Sequence, residues 1–214
     1  MRIYAVADIH GREGRFSLIR EKAVETEADL IVMAGDIAGF LSRRRIPEYV
    51  NTMPVPVFYV RGNSDSRGTD RMMSRFPHVT HLHERKVNCR GICFGGISGA
   101  FLLPFESRLC LAEKRMTARL AHFFSDVSIL VTHPPPRNTL DRVMGRFPSG
   151  SRALRALTLR YQPRVLICGH IHEDPGMTFL GRTLVVNCSL AGKGAGALLE
   201  YPEDGEPRVT LLSG

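Results

Sequence analysis

Apolar residues run through the first part of the chain in short unbroken blocks, and the stretches between them carry a helical period. Residues 2–7, 30–34 and 55–60 are such blocks and predict strands, while Phe16, Ile19 and Ala23 share one side of a helix over 13–26. This alternation is an α/β beginning. Short strand patterns follow at 79–82, 85–89 and 92–97, then a long helical pattern over 106–124 and a strand at 127–131. A further helix starts near Ser149 or Ser151, either of which can cap it, and the run Val165, Leu166, Ile167, Cys168 predicts another strand. The tail changes character: strand patterns at 177–180, 183–187, 195–201 and 209–212 are joined by turns containing Gly181 and Asp204-Gly205. Two sheets covered by helices accommodate this order. With no repeat, low-complexity tract or linker rich in Pro, Gly or Ser, the expectation is a single domain over 1–214.

The polar residues that break the pattern gather at strand ends. Residues 3–7 run into Asp8-Ile9-His10-Gly11, 30–34 into Gly35-Asp36, and 55–60 into Arg61-Gly62-Asn63-Ser64-Asp65. Residues 129–131 run into Thr132-His133-Pro134, and 165–168 into Gly169-His170-Ile171-His172. If these strands lie side by side their ends share one rim, where α/β architectures bind ligands. Strand alternation aims residues two apart the same way, so His170 and His172 are expected to project together. The rim then offers two carboxylates (Asp8, Asp36), one amide (Asn63) and four imidazoles (His10, His133, His170, His172). One tetrahedral ion would leave three of these groups over, whereas two ions sharing a carboxylate use them all. Nitrogen and oxygen donors without a thiolate suit Mn, Fe, Zn or Co better than Mg or Ca, and Mn is taken first.

Composition narrows the setting. Of 214 residues 43% are hydrophobic and 23% charged, which is ordinary for a globular protein able to bury a core. The first apolar run meets Asp8 too early for a signal peptide, and no run approaches the roughly 18 apolar residues of a membrane span, so a cytoplasmic protein without a membrane partner is expected. The five cysteines (Cys89, Cys93, Cys110, Cys168, Cys188) include no CxxC and mostly sit in apolar runs, which reads as core thiols. Net charge is +8, carried almost entirely by arginine, a side chain that meets phosphate bidentately. An anionic substrate or nucleic acid is compatible with that balance, as is a composition bias, since only Arg43, Arg44 and Arg45 form a run.

The succession DIHG, GD, GN, TH and GHIH, each after an apolar run and spanning Asp8 to His172, resembles the calcineurin-like metallophosphoesterases. GSRALR (150–155) and TLVVN (183–187) are similar to the small prokaryotic branch related to cyclic-nucleotide phosphodiesterases. The resemblance implies a β-sandwich flanked by helices in four layers. It also implies that Asp8, His10 and His172 hold one ion, that Asn63, His133 and His170 hold a second, and that Asp36 bridges them. In-line attack on phosphorus by a hydroxide shared between the two ions would be the reaction. Many relatives carry a histidine directly after the asparagine of GN; this chain has Ser64, a poor proton donor at neutral pH. That departure favours diesters, or esters with acidic leaving groups. Asp65 reads as a group that steers a metal-bound histidine.

Other candidates stand beside this set. Arg12 and Arg61 lie close enough in sequence to touch a phosphate oxygen, and either reads equally well as a surface charge. The segments 40–46 and 137–150 read as loops near the rim that select substrate. His81 and His83 repeat the one-residue gap, but no apolar run or glycine precedes them, so they read as ordinary strand-face residues. The functional expectation is a dinuclear phosphodiesterase acting on small phosphate esters. A nuclease on the same scaffold is the first alternative and would want a continuous basic and aromatic groove. A catalytically silent protein-binding scaffold is the second, and the complete donor set speaks against it.

Overall fold

The computed structural model describes residues 1–39, 45–99, 123–190, 192 and 194–214. Strands β1 (Arg2–Val6), β2 (Leu30–Ala34), β3 (Val57–Val60) and β4 (Val79–His81) lie parallel and in chain order. Antiparallel β13 (Gly194–Glu200) and β14 (Arg208–Ser213) extend this first sheet beyond β1. In the second sheet β6 (Ile92–Ile97), β7 (Ile129–Thr132), β10 (Val165–Cys168) and β12 (Thr183–Asn187) are parallel neighbours. Antiparallel β5 (Lys86–Cys89) and β11 (Gly176–Leu180) form its two margins.

Parallel strands buried on both faces need apolar side chains on both, which is why the central runs show no alternation of polar and apolar residues. Ile3, Ala5, Val32 and Val60 of the first sheet meet Phe94, Ile129, Val131, Ile167 and Val186 of the second in a shared inner core. The opposite face of the first sheet carries Tyr4, Val6, Ile31 and Met33, covered by Phe16, Ile19 and Ala23 of α1 (Glu13–Glu25). Two short helices, α2 (Ile46–Asn51) and α3 (Arg67–Met73), add Ile46, Val50 and Met73 to that layer. Behind the second sheet, Leu154 and Leu157 of α4 (Arg152–Tyr161) pack on Leu130, Leu166 and Val185. Each such buried aliphatic side chain stabilises the fold by about 1.5–3 kcal/mol. The layers therefore run helix, sheet, sheet, helix.

The structure departs from the sequence expectation in a few places. The third strand begins at Val57 rather than 55, since Pro54 and Pro56 have no amide hydrogen to give a ladder. Helices α2 and α3 were not expected; with six and seven residues they are too short to show a helical period. The expected loop over 137–150 contains a hairpin of β8 (Arg142–Val143) and β9 (Phe147–Pro148). Of the two serines before α4, Ser151 is the cap: its Oγ accepts from the Leu154 amide at 3.0 Å. The helix expected over 106–124 lies almost wholly outside the described residues, as do Cys110, His122 and residues 40–44 of the other loop. No helix among the described residues is long and apolar enough to cross a membrane.

Candidate metal centre

Because β1, β2 and β3 are parallel, Asp8, Asp36 and Asn63 emerge at one end of the first sheet. Likewise β7 and β10 bring His133, His170 and His172 to an end of the second. The chain stitches the two ends together: the Ala7 amide donates to the Cys188 carbonyl at 3.1 Å and the Leu190 amide to the Ala7 carbonyl at 3.0 Å. Asp8, His10 and His172 present ligand atoms within 4.8 Å of one another, and so do Asp8, Asp36 and His133. His172 Nε2 lies 3.3 Å from Asp8 Oδ1 and 3.5 Å from His10 Nε2. His133 Nε2 lies 3.0 Å from Asn63 Oδ1, 3.2 Å from His170 Nδ1 and 3.5 Å from Asp36 Oδ1. The other Asp36 oxygen is 3.9 Å from His10 Nδ1, so this carboxylate faces one imidazole of each proposed trio. All seven side chains are brought to one place, with Asp8, Asp36 and His133 as a buried floor and Asn63 and His172 at the exposed mouth.

Protonation favours ligation. His133 Nδ1 is 2.9 Å from the Ala34 carbonyl, which can only accept, so that nitrogen carries the proton and the Nε2 lone pair points into the site. Burial pushes the His10 and His170 imidazoles below their ordinary value, keeping them neutral. Burial acts to raise the Asp8 carboxyl, but the hydrogen bond from His172 and the nearby His133 outweigh it, and Asp8 titrates below the usual carboxylate range. His172 is raised in return, chiefly by that hydrogen bond. Among the described residues no arginine or lysine ion pair neutralises the carboxylates of Asp8 and Asp36. Two buried acids fronted by imidazoles are a donor set suited to divalent cations.

The backbone delivers these groups by leaving the strand conformation. Asp8 (φ 61), His10 (φ 52), Asp36 (φ 51) and His170 (φ 72) are all left-handed, a conformation that costs an L-residue about 1–2 kcal/mol. The strand itself stops at Cys168, which corrects the expectation that β alternation aims His170 and His172 together. They converge through the reversed backbone at His170, with Ile171 buried between them, and they face different partners: His170 meets His133, and His172 meets Asp8 and His10. Close approach explains two of the glycines. A Cβ on Gly62 would stand 2.1 Å from Asp36 Oδ1, and one on Gly169 would stand 2.3 Å from the Ala7 Cβ.

Around the donors the structure revises several sequence expectations. Asp65 does not steer a histidine: its carboxylate accepts from the backbone amides of Ile37 (3.2 Å), Ala38 (2.7 Å) and Gly62 (2.9 Å), clamping the GD loop to the GN loop. Ser64 spends both its amide (2.8 Å) and its hydroxyl (2.9 Å) on the Asp36 carboxylate. The Arg61 guanidinium is ion-paired with Asp70 of α3 at 2.9 Å, whereas Arg12 stands exposed at the start of α1. Arg15, not singled out from the sequence, donates to the Asp8 carbonyl. Only its position one turn into the helix after DIHG hints at that. His81 stacks on Tyr59 at 4.7 Å and approaches Ser98 Oγ at 2.8 Å, and His83 Nδ1 accepts from the Ser98 amide at 3.1 Å.

The chain is similar to several known proteins. An uncharacterised protein of Methanocaldococcus jannaschii is 27% identical over 198 residues, covering 88% of each chain. The crystal structure of TT1561 of Thermus thermophilus superposes with a TM-score of 0.71 at 20% identity, over 92% of this chain and 93% of that one. A structure described as a novel archaeal phosphodiesterase superposes at 0.59 with 12% identity, over 99% of this chain and all (100%) of its own. The profile of the calcineurin-like phosphoesterases matches residues 1–174, a stretch that contains every donor in the cluster, and the chain belongs to that family.

Proposed function

We propose that the chain is a dinuclear metal-dependent phosphodiesterase acting in the cytoplasm, with Asp8, His10 and His172 around one cation, Asn63, His133 and His170 around the other, and Asp36 between them. The observation that carries the reading is the Asp36 carboxylate, placed between His10 and His133 and set by Ser64. Manganese is the first choice of metal for such an N/O donor set, with Fe, Zn and Co behind it. When bound, the cations supply positive charge that acidifies water and neutralises the phosphoryl oxygens. The chain's own groups do the rest. Imidazole nitrogens and carboxylate oxygens offer lone pairs, the Ala34 carbonyl holds the His133 tautomer, and Arg12, exposed at the start of α1, is assigned a non-bridging phosphate oxygen in this reading. Residues of both sheets contribute, so we read 1–214 as one working unit.

Diester preference rests on Ser64. Its hydroxyl donates to Asp36 and offers a leaving oxygen no acid; a positioned acid contributes about 10²–10⁴-fold, a loss that poor leaving groups feel most. With Mn²⁺ added, bis-p-nitrophenyl phosphate is expected to turn over faster than p-nitrophenyl phosphate. Asp36→Asn is expected to lose both bound metal and most activity. Faster cleavage of the monoester would overturn the Ser64 inference, and absence of any turnover at every metal loading would overturn the enzyme.

A further inference from the structure

The hairpin β8–β9 leaves the second sheet between His133 and α4, and both of its attachments lead to the metal-ligand loops. Upstream it is continuous with His133 through Pro134-Pro135-Pro136. Its first residue, Arg142, donates its amide to Asp174 Oδ2 at 3.1 Å, and the Asp174 amide in turn reaches the Ile171 carbonyl at 3.4 Å, between His170 and His172. The base is fixed: the buried Asp141 carboxylate accepts from the amides of Asn138 (2.9 Å) and Gly150 (2.8 Å). His172 is also the side on which the cluster opens, its side chain being 45% exposed.

What this anchored arm displays is unusual for a solvated turn. Met144 is 76% exposed and Phe147 is 64% exposed, and neither belongs to an apolar cluster of the fold. Met144 (φ 52) and Gly145 (φ 68) are left-handed in succession, closed by the Arg146 amide on the Val143 carbonyl at 3.1 Å, so the tip holds its shape. Arg142 and Arg146 are exposed, and among the described residues neither guanidinium has an ion-pair partner. An exposed aromatic ring neighboured by two exposed arginines without an ion-pair partner among the described residues, on an arm whose base is tied through Asp174 to the His170–His172 loop and on a chain of net charge +8, complements a ligand that alternates flat apolar groups with anions. The scissile phosphate belongs at the metal ligands; arginines on a separate arm address other phosphates, so the ligand carries several.

We propose that hairpin β8–β9 is a docking arm for single-stranded nucleic acid, with Phe147 stacking on a base and Arg142 and Arg146 meeting neighbouring phosphates of a strand whose scissile diester lies at the cluster. This deepens the phosphodiesterase reading and takes its substrate orientation from it. A duplex keeps its bases stacked inside and offers the ring no face, which selects the unpaired strand.

The test is fluorescence polarisation of a fluorescein-labelled ten-residue thymidine oligonucleotide with the full chain in EDTA, followed by hydrolysis of the same oligonucleotide with Mn²⁺. Phe147→Ala is expected to weaken binding roughly 5- to 150-fold, and Phe147→Trp to retain it. Arg142→Gln combined with Arg146→Gln should flatten the salt dependence of log Kd by about 1.4, or 0.7 for each phosphate left without its arginine. In hydrolysis, Phe147→Ala should lose at least about fivefold more on the oligonucleotide than on methyl p-nitrophenyl phosphate, which has no base. Equal affinity of the parent and Phe147→Ala, no binding at low salt, or tighter binding of a duplex would overturn the proposal. Binding through Phe147 without cleavage of either ester would instead remove the catalytic reading and leave the arm standing, so the two fail separately.

Discussion

Substituting Gly62 by alanine adds one methyl group at the most crowded point of the cluster. The new Cβ would lie 2.1 Å from Asp36 Oδ1 and 2.5 Å from the Asp36 amide nitrogen. Real Cβ atoms essentially never stand within 3.0 Å of such a neighbour, so the carboxylate oxygen has to retreat by about 1 Å or more. It has nowhere compliant to go: the side chain is 3% exposed and held by the Ser64 amide at 2.8 Å and hydroxyl at 2.9 Å. Gly62 is not among the positive-φ glycines, so the effect is steric rather than conformational. A misplacement of this size costs about 10²-fold in rate, or near 2.7 kcal/mol of transition-state stabilisation, with about 1–3 kcal/mol of fold stability lost to overpacking. Gly14→Ala is the matched control, because a Cβ there meets nothing within 4 Å and an alanine near the start of α1 should gain up to about 1 kcal/mol. Metal content by mass spectrometry, kcat/KM on bis-p-nitrophenyl phosphate and urea unfolding would be measured on both. A Gly62→Ala protein that holds its metal and stays within twofold of the parent rate would refute the claim that this glycine sets the position of Asp36.

Two further outcomes follow from groups outside the cluster. Burial pushes the His81 imidazole down to about 4, so the folded chain keeps it neutral while the unfolded chain takes up a proton below 6.5. Its contribution is therefore intact above pH 6.5 and lost as pH falls toward 4; between pH 7.5 and 5 the parent should lose about 2 kcal/mol more than His81→Gln in urea unfolding, and equal losses would refute it. Asp65→Ala leaves the amides of Ile37, Ala38 and Gly62 without their acceptor, which should cost at least about 3 kcal/mol and lower metal affinity. A fully stable Asp65→Ala protein would show that the clamp between the two loops is redundant.

How much of this was legible in the sequence depended on whether a signal is local. Unbroken apolar runs such as LIVMA and VLIC announce strands buried on both faces, and each polar group that follows marks a strand end. The donors at the rim were readable for that reason. Short elements were not: α2 buries only Ile46 and Val50, and β8 and β9 have two residues each, so no period develops. Roles set by tertiary contact were hidden too. Nothing in the order of residues shows that Asp65 turns to three amides, that the Ala34 carbonyl chooses the His133 tautomer, or that Asp70 occupies Arg61. The left-handed backbone at His170 replaced the strand alternation expected there, although both routes bring the two imidazoles to the same cluster.

Asp8, His10, Asp36 and Asn63 hang from one sheet, and His133, His170 and His172 from the other. An ion held by groups of both sheets would be a rivet through the sandwich, and linkage would make the rivet work in both directions. Loading it would resist any sliding of one sheet over the other. Conversely, loosening a distant contact such as the Phe58–Phe94 edge-to-face pair, 5.2 Å between ring centroids, would blunt the grip on such an ion although no member of the cluster has been touched.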